Sequence, residues 1–542
     1  MKPSSTHYQS VVVINDATAV DPNESWVQAH VEEVKYSYAY ANKADEHEDD
    51  PSVSQRSSAP PKFRDLPFAI LFLLHLGVVS FIALACGTFD GLFTDMDVQD
   101  TSDPDVTTQT RDWVTGVMYM VVPAIIVSFL VCHFITGTFV LKYPTQAVTV
   151  SLYSSIWSNV AFMFIICFTF PSFWLVLLTS ICTLWSIWFV FAVRRFIPFA
   201  AAILKLAVAG ITVNWGMYMV SLVTAAISCA WYILWVYVAN GIGFFQDVEA
   251  LSDEDRGKGD IYYNNGVKYY TSYYVGDGKV LTVVLMLLSL YWTSVVIMNV
   301  TQTTVAGVIG TFAFEKSSAS SCCSMALTQS IIRSCTYSFG SICFGSLLNA
   351  IMITLRVLLD WSRQRARDRD NNGAALLYCI LQCIVSILGD LLEYFNQWAY
   401  IFVGIYGTTY LQSGQRVLEL FKARGCTSII SNGLASYVLG TVVMVVGLIC
   451  GILGWIVIYT TSFMNMNLWV AFWAWFIMGA IIASVMMNAV QGAIKAIVVC
   501  YFDHPGKMYQ SHPQETRALA DAIELLFPQV TVFAFSDNAF TV

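Results

Sequence analysis

Charged residues are scarce in this chain. Asp, Glu, Lys and Arg make up only 12% of its 542 residues, whereas 56% are hydrophobic. A soluble globular domain carries about 25% charged residues, so this sequence lacks the polar groups that a water-facing surface needs. The net charge of −9 comes from acids that cluster in a few loops and tails, and no basic face of the kind that binds nucleic acid is present. The composition therefore argues against a soluble domain and a nucleic-acid partner, and it indicates a lipid bilayer as the main solvent.

Motifs for nucleotide hydrolysis, proteolysis and metal binding are also missing. The sequence contains no GxxxxGK[ST], no HExxH, no GxSxG and no CxxC, so an ATP-driven pump, a serine hydrolase and a zinc site are all disfavoured. We predict a protein that is not an enzyme and has no cofactor and no metal site. Most of its cysteines lie in or beside apolar runs, where a thiol acts as a small hydrophobic side chain.

Long apolar runs, by contrast, recur throughout the chain. A hydrocarbon core about 30 Å thick needs about 20 apolar residues to cross it as a helix. Runs of that kind predict an all-α polytopic membrane protein with about ten transmembrane helices in a single bundle over residues 67–502. The predicted spans are 67–89, 113–141, 146–170, 172–193, 213–240, 280–312, 337–359, 376–405, 434–460 and 468–500.

Both ends of the chain are polar. Residues 1–66 are rich in Ser, Pro, Asp and Glu and cannot bury enough apolar surface to offset their ordering entropy, so they are predicted to be a disordered tail. Residues 503–542 form a second tail, in which 516–526 has helical spacing. That stretch predicts a short amphipathic helix packed against the rest of the protein.

The distribution of basic residues predicts the orientation. Lys62 and Arg64 precede the first span, which places the N-terminal tail in the cytosol. Alternation then puts the acidic loops 90–112 and 241–279 outside. The loop predicted at 360–375 is an exception to the rule that basic loops are cytosolic: it carries four arginines, and yet alternation places it outside. Residues 376–411 could form one long helix, which leaves both termini cytosolic, or two short ones, which place the C-terminus outside.

The richest polar stretch inside a span is EYFNQWAY at 393–400. Glu393 and Asn396, with Asp390 and Gln397, follow roughly helical spacing, and Tyr394, Trp398 and Tyr400 are interleaved with them. A carboxylate beside aromatic rings suits an organic cation, because it supplies one countercharge and faces for cation–π contact. The same residues could equally form hydrogen bonds that hold helices together. Arg356 and Lys495 lie near span ends, where snorkelling to the interface accounts for their charges.

A second stretch, YSFGSICFGSLL at 337–348, contains small residues at close spacing, namely Gly340, Ser341, Gly345 and Ser346. Such residues let helix backbones approach closely or let a helix bend. We interpret them as a packing or hinge element, with a partly unwound segment that lines a substrate path as the functional alternative.

Together the stretches at 337–348 and 393–400 resemble the choline-transporter-like family, solute carrier family 44, and in particular its fungal "pH nine sensitive" branch. The similarity runs from about residue 62 to 515. The resemblance implies ten spans, two cytosolic termini and an outside location for 360–375, which favours one long helix over 376–411. It also implies ATP-independent transport of choline or a related organic cation.

The leading hypothesis is therefore a plasma-membrane carrier or facilitator whose pathway is lined by the seventh and eighth spans. Glu393 would supply charge or a proton site and Asn396 hydrogen bonds, while ring faces would come from the tyrosines and the tryptophan of the two stretches: Tyr337, Tyr394, Trp398 and Tyr400. The alternative is a membrane structural, regulatory or lipid-handling protein without transport activity, in which Glu393 and Asn396 only pack helices. An integral-membrane enzyme is disfavoured by the missing motifs.

Overall fold

A computed structural model describes most of the membrane domain. The described residues are 62–85, 122–169, 172–241, 248–249, 261–264, 267–271, 277–315, 324–368, 372–461 and 468–526. The predicted outer loop 90–112 and nearly all of the predicted N-terminal tail 1–66 lie outside these residues, as does the end of the chain after residue 526.

Helices account for almost all of the described chain. They are α1 Leu66–Ala85, α2 Val122–Val140, α3 Pro144–Thr169, α4 Phe173–Val193, α5 Ile197–Val213, α6 Gly216–Gly241, α7 Asp277–Phe314, α8 Met325–Cys335, α9 Phe339–Asp368, α10 Asn372–Tyr406, α11 Tyr410–Thr461, α12 Leu468–Asp503, α13 Pro505–Ser511 and α14 Pro513–Leu526. Ten segments of the described residues are long and apolar enough to cross a membrane. The predicted all-α fold with ten spans in one bundle is confirmed.

Residues 376–411 do not break into two short spans. They belong mainly to α10, a single helix of 35 residues, as the ten-span topology requires.

The predicted extent of the loop 360–375 was wrong, because α9 continues to Asp368 and α10 begins at Asn372. Arg363, Arg365 and Arg367 therefore lie in the last turns of a helix, where basic side chains complement the helix dipole. Asp360 also pairs with Arg363 at 2.6 Å.

One helix lies where the sequence pattern predicted only a connection. A 3₁₀ turn at Arg194–Phe196 follows α4, and α5 then occupies the segment before α6. Ten residues of α5 are buried, including Phe199 and Ile211, and its Pro at the N-terminal turn suits a helix start. Because α5 is apolar around most of its circumference, it packs inside the bundle, where it contacts α3, α11 and α12.

The remaining elements are small. Between α6 and α7, strands β1 Val248–Glu249, β2 Ile261–Asn264 and β3 Val267–Thr271 form an antiparallel sheet in the order β1-β3-β2. After α12, the helix α14 covers the stretch in which an amphipathic helix was predicted, and it packs against α5. Its buried residues include Thr516, Leu519, Ala522 and Ile523, at the spacing of one helix face.

The end of the bundle at which α1 begins is named here the proximal end, and the opposite end the distal end. Because consecutive spans alternate, α9 and α11 also begin at the proximal end, and α10 ends there. A large apolar core joins α2, α3, α5, α7, α10, α11 and α12, while side chains such as Phe81 and Leu74 are exposed on the outside, as expected of a surface solvated by lipid.

Candidate functional site

The predicted site residues divide between adjoining faces of α10. With about 100° of rotation per residue, Asn396, Gln397 and Tyr400 fall close to the direction of Glu393. Tyr394 and Trp398 fall on the next face, and their rings meet edge to face with centroids 6.4 Å apart. The helix therefore presents a polar face beside an aromatic face, within one apolar span.

Asn396 is fully engaged by its neighbours. Its side chain is 2% exposed; Nδ2 donates to the carbonyl of Gly345 at 3.4 Å, and Oδ1 accepts from the hydroxyl of Tyr410. The contact with α9 is close because Gly345 has no side chain: a Cβ there would collide with the hydroxyl of Tyr400 and the ring of Tyr410. Asn396 thus ties α10 to both α9 and α11.

Tyr400 belongs to a second set of hydrogen bonds one turn further along α10. Its hydroxyl and the hydroxyl of Ser346 are 3.3 Å apart, and Ser346 also accepts from Asn299 Nδ2 at 2.9 Å. All three side chains are buried, so α7, α9 and α10 are linked by uncharged groups. A buried, uncharged, hydrogen-bonded network of this kind supports helix association.

Glu393 and Lys495 carry the charges of this region. Lys495 on α12 was interpreted from sequence as snorkelling, and this was wrong: its side chain is only 2% exposed, and its Nζ donates to Gln397 Oε1 at 2.6 Å. Glu393 is half-buried and close enough to Lys495 to interact electrostatically. Within the described residues Glu393 has no ion pair and no hydrogen bond.

Tyr337 lies apart from these residues. It precedes α9 at the proximal end, where its ring packs against Phe63 with centroids 5.1 Å apart and its carbonyl accepts from Arg64 N at 2.9 Å. Its described contacts are therefore with the start of α1. Trp398, in contrast, is completely buried in the main core, so its ring face is covered by protein in this conformation.

The Gly/Ser stretch contacts the residues that lead into α1. Asp65 Oδ2 accepts from Ser341 Oγ at 2.6 Å and from the backbone N–H of Tyr410 at 3.0 Å. A Cβ on Gly340 would collide with the carbonyls of Arg64 and Asp65. One carboxylate therefore serves the first turns of both α9 and α11, where helix dipoles favour negative charge.

Two arginines hold the turn between α10 and α11, which we define as the proximal corner, residues 404–410. Arg333 of α8 donates to the carbonyl of Gly404 at 2.6 Å, and Arg64 Nε donates to that of Gly407 at 3.2 Å. Gly407 has φ +66°, a left-handed conformation that glycine adopts without strain. The carbonyl of Gly404 in α10 and that of Gly407 just after it therefore accept from cations of two distant parts of the chain.

Cavities are found away from the predicted residues. A cleft of about 390 Å³ between α11 and α12 is lined by polar and apolar residues: Ser436, Leu439, Gly440, Val443, Ser484, Val485, Met487, Asn488 and Gln491. A groove of about 470 Å³ follows the outer face of α1. Neither is lined by Glu393 or Asn396. Among the described residues no group of three or more His, Cys, Asp or Glu side chains is placed to hold a metal ion.

Sequence reasoning missed Asn299, Tyr410 and Lys495 as partners of the α10 residues. Asn299 and Lys495 were visible as polar groups inside apolar runs, but spacing along one chain does not reveal which helices meet. Tyr410 lies outside the apolar runs, so no sequence signal distinguished it from other tyrosines.

A bundle of ten apolar helices, with buried polar residues between them, is the architecture of an integral membrane protein. Comparison with known proteins agrees. A family model described as "plasma-membrane choline transporter" matches residues 177–505, which is more than half of the chain, and the chain belongs to this choline-transporter family.

Individual relatives share about a quarter of their aligned residues with this chain. A protein named PNS1 from Mycosarcoma maydis is 28% identical over 74% of this chain and 71% of its own length. A CTL-like protein from Dictyostelium discoideum is 25% identical over 84% of this chain and 74% of its own, and PNS1 from Saccharomyces cerevisiae is 27% identical over 70% and 68%. The resemblance to the fungal branch of the choline-transporter-like family is confirmed.

Proposed function

We propose that this protein is a plasma-membrane carrier or facilitator that moves a small organic cation, such as choline or a related amine, without ATP. Membership of the family supports transport in general. The observation that carries the narrower proposal is Glu393: a half-buried carboxylate inside an apolar span, without a hydrogen bond to any described residue. An ionised carboxylate at membrane depth costs at least about 2.5 kcal/mol, a cost that a cation pathway offsets with hydration and a countercharge.

Aromatic residues beside this carboxylate fit the same proposal. Tyr394 is only half-buried and stands at the edge of the aromatic face, so its ring is the most available for contact with an ammonium group. Asn396, Trp398 and Tyr400 are buried and would line the path below Glu393 when the helices separate. Tyr337 would offer its ring face to the cation at the proximal end, where it contacts the residues before α1.

The proximal end would face the cytosol. Basic residues are concentrated there, among them Lys142, Arg194, Arg333 and Arg416, as the positive-inside rule expects of cytosolic connections. Both termini would then be cytosolic. The proximal corner and Asp65 would close the cytosolic end of the path, with Glu393 nearer to the outside.

Uptake into reconstituted vesicles tests the proposal. Labelled choline should enter vesicles that contain the wild-type protein in a saturable manner, and unlabelled amines should compete. Glu393→Gln keeps the shape and most hydrogen-bonding capacity but removes the charge, so uptake should fall at least tenfold while melting temperature stays the same. Asp521→Asn, an exposed position on α14, is the matched control. Equal uptake by wild-type and Glu393→Gln vesicles would leave Glu393 with a packing role only.

A further inference from the structure

Lys495 is a buried cation with spare hydrogen-bond donors. An ammonium group has three N–H donors, and the structure gives Lys495 one acceptor, Gln397 Oε1. The other two donors have no partner among the described residues. Burial of a cation is expensive unless its donors are satisfied and its charge is compensated. The 2% exposure of this side chain therefore calls for an anionic or strongly accepting group beside it.

Glu393 does not fill that role directly. It precedes Gln397 by one helical turn, so both side chains leave the same face of α10, but it is Gln397 that receives the hydrogen bond from Lys495. Glu393 and Lys495 interact electrostatically without a direct ion pair. The two opposite charges thus interact without a direct ion pair, and Lys495 donates to the neutral amide of Gln397 instead of to the carboxylate.

The face of α12 that carries Lys495 leads to a cavity. Ser484, Asn488, Gln491 and Lys495 are spaced four, three and four residues apart, which places them in one stripe along the helix. The first three line the cleft between α11 and α12, whose volume of about 390 Å³ is in the range that holds a small molecule. Gln491, at the near end of this cleft, is one turn from Lys495.

We propose that Glu393, Gln397 and Lys495 form a two-charge site for a small zwitterion: an amine that also carries a carboxylate or phosphate. The inference rests on the proposed function and narrows its substrate class. The ammonium end would lie at Glu393, beside the ring of Tyr394, and the anionic end would accept from the two spare donors of Lys495. A ligand with a positive charge alone contacts only Glu393 and leaves the charge of Lys495 uncompensated, so it should bind more weakly than a zwitterion, which satisfies both protein charges.

Glycine betaine and choline are matched probes for this site, because both carry a trimethylammonium group and only glycine betaine also carries a carboxylate. Binding is measured on the purified full-length protein in nanodiscs. Wild-type protein should bind glycine betaine at least tenfold more tightly than choline. Lys495→Met should abolish that preference by weakening glycine betaine and strengthening choline, while Lys495→Arg should retain it. Lys205→Met, at an exposed lysine of α5, is the control and should change neither Kd.

The outcomes separate the two proposals. Choline bound as tightly as glycine betaine by wild-type protein, with uptake intact, would overturn the two-charge site and leave cation transport standing. A preference for glycine betaine that survives in Lys495→Met would also overturn it. If neither compound binds or enters vesicles, the proposed function fails as well. The comparison of glycine betaine with choline on the wild-type protein needs no variant. It therefore tests the proposal even if Lys495→Met does not fold.

Discussion

The distal and proximal halves of α10 belong to one predicted span but have opposite surroundings. Over 372–391 the helix is exposed along much of its circumference: Ile387 is 68% exposed and the side chain of Asp390 is 70% exposed. Over 396–406 it is enclosed by α7, α9 and α11, and Trp398 and Tyr400 are at most 1% exposed. The same helix therefore passes from an open environment into a packed core.

Polar residues follow this change of surroundings. At the distal half, Asp390 pairs with the partly exposed Arg356 at 2.7 Å. At the middle, Glu393 interacts electrostatically with Lys495 and makes no hydrogen bond to the part of the chain that the structure describes. At the proximal half, Asn396 is bonded on both of its polar atoms. Polar groups in this span therefore differ in kind: the uncharged groups of the proximal half hold helices together, whereas the charged groups at the middle are the ones that the proposed function assigns to the substrate.

The largest effect on stability is expected for Gly345→Leu in the proximal half. The new side chain would collide with Tyr400 and Tyr410, and overpacking of this kind costs about 1–3 kcal/mol. Melting temperature and the yield of monodisperse protein should fall clearly. Gly433→Leu is the control, since a Cβ at Gly433 meets no other atom within 4 Å and the position is exposed. Equal stability of the two variants would contradict the close contact between α9 and α10.

Asn396→Leu should be the next most costly change. It keeps a similar volume but leaves the Tyr410 hydroxyl and the Gly345 carbonyl unpaired in a buried place, which costs about 1–3 kcal/mol. Asn488→Leu on α12 is the matched control, because Asn488 has no hydrogen bond within the described residues. The melting temperatures of the two purified variants should differ by several degrees; if they coincide, Asn396 is not a structural link.

Asp65→Gly should have a smaller effect. It removes the acceptor shared by Ser341 and Tyr410, at about 1 kcal/mol for each hydrogen bond, but glycine tolerates the positive φ of 48° found at this position. Asp65→Ala should be less stable than Asp65→Gly, because alanine adds backbone strain. Hydrogen exchange should rise in both variants at the first turns of α9 and α11. Unchanged exchange there would show that the carboxylate does not hold these helix ends.

The ten-span fold could be predicted from the sequence because crossing a bilayer requires long apolar runs, and those are visible one at a time. The helix α5 could not, since its apolar residues pack inside the bundle and its length falls below that of a span. The extension of α9 to Asp368 was missed for a related reason: charged residues such as Arg365 and Asp368 usually end a predicted span, yet they continue a helix beyond the hydrocarbon.

The candidate site was predictable only in part. The residues of α10 could be identified because a carboxylate and amides in an apolar run are costly. Their roles depend on partners from distant parts of the chain: Tyr410 for Asn396, and Lys495 for Gln397. Tyr337 lies in the same motif as Gly345, but its ring contacts Phe63 at the proximal end, a separation that one motif does not reveal.

The smallest effect is expected for Asp390→Asn, and it decides what surrounds the distal half. If water reaches this half, the Arg356–Asp390 pair is a partly exposed salt bridge, worth about 0.2–1 kcal/mol, and Arg356 keeps its hydrogen bond to the Ser386 carbonyl at 2.7 Å. If hydrocarbon surrounds it, the substitution leaves an uncompensated guanidinium in lipid, which costs at least about 2.5 kcal/mol. The double variant Asp390→Asn with Arg356→Gln removes both charges and is the control.

A melting temperature close to wild type in the single variant supports a hydrated distal half, continuous with Glu393. A large loss that the double variant reverses would instead place this surface against lipid, and a cation would then have to reach Glu393 by another route.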